Sequence, residues 1–204
     1  MTLSVIAINC SLKGSSGEDS STDKMIGLLV SELKKQGVEF RETIRIADHV
    51  VKPGVTSDEG GGDQWPDIRR RILEADILIF GTPIWLGQMS SIAKCVVERM
   101  DAFLSETDEQ GRMPSFGKIA LLAIVGNEDG GHGVSAQLYQ ALNDTGWTIP
   151  ASAVSYWVGE AMQKTDFKDL PAIPDKVSES AAMAAVNAAH LAALLKREPY
   201  PGTG

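Results

Sequence analysis

Two periodicities alternate along this chain. Residues 3–9 and 118–125 are short, nearly unbroken apolar runs, and Ile77, Leu78, Ile79 and Phe80 form a third. Runs of this kind predict strands covered on both faces of a parallel sheet. Residues 38–46 predict a further strand, with Val38, Phe40, Ile44 and Ile46 apolar, and residues 147–154 predict the last. Between them the spacing changes to three and four. Met25, Ile26, Leu29, Val30 and Leu33 share one helical face that Gly37 ends, and Ile92, Cys95, Val96 and Met100 share another. Helices are also predicted over residues 65–74, begun by Pro66, over 134–144, ended by Gly146, and over the alanine-rich 176–196. In this last helix Met183, Val186, Leu191, Leu194 and Leu195 are expected to pack on the core.

Five strands alternating with five helices predict an α/β domain, a parallel sheet with helices on both faces. Right-handed crossovers leave few arrangements. The five-stranded solution is a flavodoxin-like three-layer sandwich of order 2-1-3-4-5, with a ligand crevice between strands 1 and 3. No repeat or linker interrupts it, so residues 1–198 read as one domain and residues 199–204, a Pro- and Gly-rich end, as a mobile tail.

Composition narrows the classes. A net charge of -8 over 204 residues argues against non-specific nucleic-acid binding. The basic run Arg69-Arg70-Arg71 lies in a predicted helix and reads as a solvated face. Cys10 and Cys95 are too few for a disulfide framework and read as small buried hydrophobes. His49, His132 and His190 stand far apart, and no metal-ligand spacing exists. No basic leader or spanning run is present, so the expectation is a cytoplasmic protein without a membrane segment.

The chemistry concentrates in three loops that leave the same edge of the predicted sheet. Residues 10–22 supply hydroxyls from Ser11, Ser15, Ser20, Ser21 and Thr22, glycines at 14 and 17 and one cation, Lys13, ahead of a helix N-terminus. Unpaired N–H groups and the helix dipole there favour an anion such as a phosphate. Neither GxxxxGK[ST] nor GxGxxG occurs, which disfavours a nucleotide triphosphatase loop and a dinucleotide fold. Residues 81–89 follow the central strand, with Pro83 stiffening the turn and Trp85 offering a flat apolar surface. Residues 126–133 are glycine-rich, and Asn127 with the exposed amides suits the polar edge of a heterocycle. A phosphate cradle, an aromatic platform and a polar rim together suit a flat phosphorylated ligand such as flavin mononucleotide (FMN).

The second loop carries a specific resemblance. Thr82-Pro83-Ile84-Trp85-Leu86-Gly87-Gln88-Met89-Ser90 is similar to the T-P-[IV]-[YW]-x-[GS]-x-[MP]-[ST] stretch of the NAD(P)H-dependent FMN reductases, a branch of the flavodoxin-like superfamily that includes quinone reductases. Cys10-Ser11-Leu12-Lys13 and Ser21-Thr22-Asp23-Lys24 stand where that family has G-S-P-R and N-T ahead of its first helix; Leu12 and Lys13 replace the usual proline and arginine. The resemblance implies non-covalent FMN, with Ser11, Lys13, Ser20, Ser21 and Thr22 on the phosphate. Thr82, Pro83, Ile84, Trp85, Leu86 and Gly87 would lie along the ring, and Gly126, Asn127, Glu128 and Gly130 at its other edge and the ribityl chain. It implies NAD(P)H as electron donor and a small acceptor, a flavin or a quinone, with the flavin carrying the chemistry and no protein catalytic group required. Residues 47–64 contain no cysteine, so no iron–sulfur cluster is expected. Relatives commonly complete the pocket between subunits, which implies a homodimer or higher homo-oligomer; Tyr156 and Trp157 are the aromatic interface or lid candidates. The alternative is a flavodoxin-type electron carrier or a non-catalytic flavin-binding protein.

Overall fold

The structure, a computed structural model, describes residues 2–17, 19–160 and 163–203. Strands β1 (Ser4–Asn9), β2 (Glu39–Arg45), β3 (Ile77–Trp85), β5 (Ile119–Gly126) and β6 (Val154–Val158) form a parallel sheet of order β2-β1-β3-β5-β6. This is the doubly wound order the alternation predicts. A sixth strand, β4 (Gln88–Met89), runs antiparallel to the end of β3. The second loop is therefore a hairpin rather than an irregular turn.

The uninterrupted apolar runs split into two cores because successive side chains leave opposite faces of a strand. Val5, Ala7, Ile77, Ile79, Ile119, Leu121 and Ala123 face α1 (Ser21–Lys35) and α5 (Asp175–Arg197). Ile6, Ile8, Leu78, Phe80, Ala120, Leu122 and Ile124 face α2 (Trp65–Leu73), α3 (Ser91–Met100) and α4 (Gly131–Asp144).

Two expectations need correction. The last strand lies at Val154–Val158, not over residues 147–154; upstream only Thr148 bridges to Ile119. Pro150 offers no N–H to a ladder and Ser152 turns through a left-handed φ of 58°, so pairing with β5 resumes only at Val154. In α5 the alanines face the core: Ala181, Ala184, Ala185, Ala188 and Ala192 are buried. Met183 and Val186 are about half exposed at 55% and 48%, and Leu194 is exposed too; Leu191 and Leu195 are partly buried. Alanine's small side chain lets α5 lie close on the sheet and α1, which turns its larger residues outward. Beyond α5, Tyr200 packs edge-on against Phe116 and lies 3.0 Å from the Thr148 hydroxyl, and the Thr203 amide donates to the Gln110 carbonyl at 2.8 Å.

The basic run on α2 is neutralised. Arg69 pairs with Glu106, Arg70 with Asp67 and Glu74, and Arg71 with Glu42 and Asp67. Residues 47–64, a long polar connection, are held on α3 by one fully buried ion pair, Arg99 Nη1 to Asp63 Oδ2 at 2.7 Å.

Candidate functional site

The carboxyl ends of β1, β3 and β5 open into one cavity of about 350 Å³. This is the switch point of the sheet, where the strand order reverses and the crossovers leave a crevice.

The first wall is the β1–α1 connection. Ser20 caps α1 and forms a capping box with Asp23. Its hydroxyl accepts from the Asp23 amide at 3.1 Å and from Asn9 Nδ2 at 3.1 Å, and donates to Asp23 at 2.9 Å. Ser20 lines the cavity, but its side chain is fully engaged within the fold. The same network holds Ser11, whose amide donates to Asn9 Oδ1 at 2.8 Å. Asp23 also takes an ion pair from Arg45. Burial alone would raise the Asp23 carboxyl; hydrogen bonds from Ser20 and Asn9 and the Arg45 charge outweigh it and hold the carboxyl below its ordinary range. Arg45 also donates to the Lys13 carbonyl at 3.2 Å, and Asp48 accepts from the Ser15 amide at 2.8 Å. The end of β2 therefore shapes the first loop. What remains for a ligand is the start of α1, where Ser21 and Thr22 border the cavity with the amides of the first helical turn, together with Ser11 and Lys13.

The second wall is the β3–β4 hairpin. Leu86 and Gly87 both adopt positive φ, 52° and 73°, the geometry of a tight turn matched to strand twist. Pro83, Ile84 and Trp85 line the cavity, and Trp85 is 53% exposed. Thr82 does not line it: it is buried, its Oγ1 accepting from the Ser90 amide at 3.2 Å. Ser90 in turn caps α3 at the Ala93 amide, 3.0 Å, and donates to the Cys10 carbonyl at 2.6 Å. The Thr and Ser of this stretch thus brace the hairpin against β1 and α3. Leu86 stands at the tip, 91% exposed, outside the cavity.

The third wall is the β5–α4 connection, with Gly126, Asn127 and Glu128 on the cavity. Glu128 spans the two loops. One carboxylate oxygen accepts from the Leu86 amide at 2.9 Å, the other from the Gly87 amide at 3.2 Å. Gly87 and Gly130 meet backbone to backbone, since a Cβ on Gly130 would stand 3.0 Å from the Gly87 Cα. These two glycines join the loops to each other rather than lining the space between them. His132 also stays out; its Nε2 lies 3.1 Å from the Tyr156 hydroxyl.

A fourth wall escaped sequence reasoning as part of the site. Trp157, at the end of β6, and Asp166 and Phe167 beyond it line the cavity, as does Leu12. Trp157 and Phe167 pack with ring centres 5.5 Å apart, and Asn127 Nδ2 donates to Asp166 Oδ1 at 2.7 Å. The wall is fastened to α1: the Lys168 amide donates to Ser21 Oγ at 3.1 Å, and Lys24 Nζ donates to the carbonyls of Lys168 and Leu170. Trp157 is, with Tyr156, an aromatic interface or lid candidate in the sequence, and the position of β6 at Val154–Val158 carries it to the cavity wall.

A doubly wound parallel sheet with loops converging at its switch point defines a flavodoxin-like α/β protein with a ligand-sized crevice at the carboxyl ends of its strands. More specifically, the chain belongs to the NADPH-dependent FMN reductase family, whose profile matches residues 3–163. It is 39% identical over 163 residues to a Mycobacterium bovis protein named divalent metal cation transporter MntH; the match covers 78% of this chain but only 24% of that protein, so the chain spans about a quarter of this curated relative. It is 28% identical, over 98% of this chain and 81% of the relative, to 8-demethyl-8-aminoriboflavin-5'-phosphate synthase of Streptomyces davaonensis. Among solved structures it is similar to RosB bound to 8-demethyl-8-formylriboflavin-5'-phosphate, with a TM-score of 0.86 and 28% identity over 98% of this chain and 82% of that one. An apo NADH:FMN oxidoreductase, EMOB, shares the fold at a TM-score of 0.68 and 19% identity, over 99% of this chain and 95% of that one.

Proposed function

We propose that this chain binds FMN in the cavity at the ends of β1, β3 and β5 and uses it to pass reducing equivalents from NAD(P)H to a small acceptor. The observation that carries the reading is the meeting of the first turn of α1 and a half-exposed tryptophan in one space of about 350 Å³, within the range of small-molecule sites. The residues fit the group. Ser11, Ser21, Thr22 and Lys13, with the amides of the first turn of α1, suit the phosphate. Asp23 stands close by, but its charge is already matched by Arg45, and it accepts a hydrogen bond from Asn9. Trp85 and Trp157 give the ring apolar walls, and Asn127 and the 126–128 backbone suit its polar edge.

When bound, the flavin supplies the hydride acceptor and donor, and the protein supplies position and electrostatics. Glu128, by holding both hairpin amides, keeps Trp85 and Pro83 in place before a ligand arrives, which lowers the ordering cost of binding. The two carboxylates on the cavity, Glu128 and Asp166, each accept a hydrogen bond from the protein, so they border the ring site with oriented rather than free charge.

A second reading is favoured by the likeness to an aminoriboflavin phosphate synthase over nearly the whole chain: the flavin is itself the substrate and leaves altered. Purified protein with FMN, NADH or NADPH and a quinone decides the matter. NAD(P)H oxidation with the flavin recovered at unchanged mass supports the reductase. A flavin of changed mass after incubation with FMN and candidate amine donors supports the second reading. FMN bound with neither result points to an electron carrier, and no change in FMN fluorescence on titration refutes the site.

A further inference from the structure

We propose that Arg45, which lies outside the cavity, is the positioning residue that makes the site select a phosphorylated flavin over its dephosphorylated form. The inference rests on the flavin reading above and names what decides affinity at its phosphate end.

β2 is the edge strand, and Arg45 is its last residue, in register with Asn9 at the end of β1. Side chains of such a pair leave the same face of the sheet, here the face that Val5 and Ala7 turn to α1. Both therefore reach the first turn of that helix. Asn9 Nδ2 donates to Asp23 Oδ1 at 2.5 Å, and Arg45 Nη2 pairs with Asp23 Oδ2. The other terminal nitrogen, Arg45 Nη1, donates to the Lys13 carbonyl at 3.2 Å, while Asp48, just beyond β2, accepts from the Ser15 amide at 2.8 Å. The peptide units on both sides of Gly14 are thus tied to the end of β2. A Cβ on Gly14 would stand 2.9 Å from Asp48 Oδ1, so the loop lies directly on that end. Arg45 fixes the backbone that presents Lys13.

Charge gives Arg45 a second effect. Among the described residues that line the cavity, Lys13 is the single cation, and Glu128 and Asp166 are carboxylates. A phosphate monoester is mostly doubly charged at neutral pH. Beside the first turn of α1 it meets favourable amides, and it also meets Asp23, the third residue of that helix. Burial raises the Asp23 carboxyl, but the hydrogen bonds from Ser20 and Asn9 each lower it more than Arg45 does, so it stays ionised at neutral pH once Arg45 is removed. Losing Arg45 therefore sets an uncompensated negative charge near the phosphate and releases Lys13 together. Trp85, Trp157 and Asn127, which suit the ring, belong to other elements, so a flavin without the phosphate feels neither change.

The test is fluorescence titration of the full chain with FMN and with riboflavin, read as the ratio of the two dissociation constants. Wild type should bind FMN more tightly by about tenfold or more. Arg45→Met should weaken FMN by about tenfold or more and leave riboflavin unchanged, so the ratio falls towards one. Arg45→Lys keeps the charge and should return most of the discrimination. Arg45→Met combined with Asp23→Asn removes both charges and should return most of it too. Arg41→Met, on the same strand but paired with Glu74, should alter neither constant. Far-UV circular dichroism checks each fold, and Arg45→Gln carries the same expectation if Arg45→Met does not fold. The inference is overturned by a wild type that binds both flavins equally, by an Arg45→Met ratio within about twofold of wild type, or by equal losses of both flavins, the mark of general loosening. A double variant no better than the single overturns it as well. A wild type that binds neither flavin is a different result: it refutes the flavin site itself, and this inference with it.

Discussion

Replacing Arg99 by methionine should destabilise the fold while leaving the flavin site alone. Arg99 is fully buried on α3. Its Nη1 meets Asp63 at 2.7 Å and the Lys52 carbonyl at 2.9 Å, its Nε donates to the Thr56 carbonyl at 3.0 Å, and its guanidinium lies 5.8 Å from the Trp65 ring. One side chain therefore fastens three points of the 47–64 connection. Methionine fills the volume of the arginine stem, so cavity formation contributes little. The cost comes from leaving Asp63 buried without its cation, about 3–5 kcal/mol for a pair of this kind. Asp63 keeps the amides of Lys52, Glu59 and Trp65, at 3.3, 3.0 and 3.3 Å, which places the loss near 3 kcal/mol. With a urea slope of about 2 kcal/mol per molar, the midpoint falls by about 1.5 M. Adding Asp63→Asn removes the stranded charge and should recover about half of the loss, because the two sites are in contact and not additive. Urea unfolding followed by far-UV circular dichroism reads all three. The reasoning fails if the single variant moves the midpoint by less than about 0.5 M, or if the double variant is weaker by the sum of both singles. FMN affinity of the folded variant should be unchanged, since neither Arg99 nor the connection it holds borders the cavity.

Three other outcomes follow from the same geometry. Ser21→Asp keeps a residue favourable in the first turn of α1 but sets a negative charge at the phosphate end, so FMN should bind about tenfold more weakly or worse while riboflavin is unaffected; equal losses for both would contradict the placement of the phosphate. Trp85→Ala should weaken FMN by about 1–3 kcal/mol, roughly 5- to 150-fold, by fluorescence titration, with a thermal midpoint within a degree or two because Trp85 is half exposed. The carboxyls of Asp23 and Asp63 are both held below their ordinary range, the first by hydrogen bonds from Ser20 and Asn9 and by Arg45, the second by amides of Glu59, Lys52 and Trp65 and by Arg99, in each case against the opposing effect of burial. Their contribution is therefore fully present above the unfolded value of about 4 and is lost as pH falls through the lower folded value. Urea midpoints measured from pH 7 downward should hold to about pH 5 and then decline, and Asp23→Asn should flatten that decline.

The alternation of apolar runs with helical spacing was enough to state the strand order, because a strand buried on both faces and a helix with one apolar stripe leave few ways to cover each other. The Thr82–Ser90 stretch was legible for the same kind of reason: it combines a turn that demands glycine with a flat side chain that the core does not absorb. What each residue of that stretch does was not legible. Thr82 and Ser90 turn inward to join the hairpin to β1 and α3, and Gly87 and Gly130 press against each other, because hydrogen-bond partners from distant segments claim them. Glu128 and Asp23 likewise find partners 41 and 22 residues away, a matter of register between loops that no local pattern encodes.

By itself the sequence determined the class of fold, the edge of the sheet where three loops converge and the helix that begins there, since all three follow from local periodicity, capping chemistry and the handedness of crossovers. Only the tertiary structure decided that Trp157 and Asp166 join the cavity and that α5 turns alanine inward and methionine and valine outward. Those depend on where β6 resumes pairing after Pro150 and on how closely a helix can approach a sheet, both settled by packing between segments far apart in the chain.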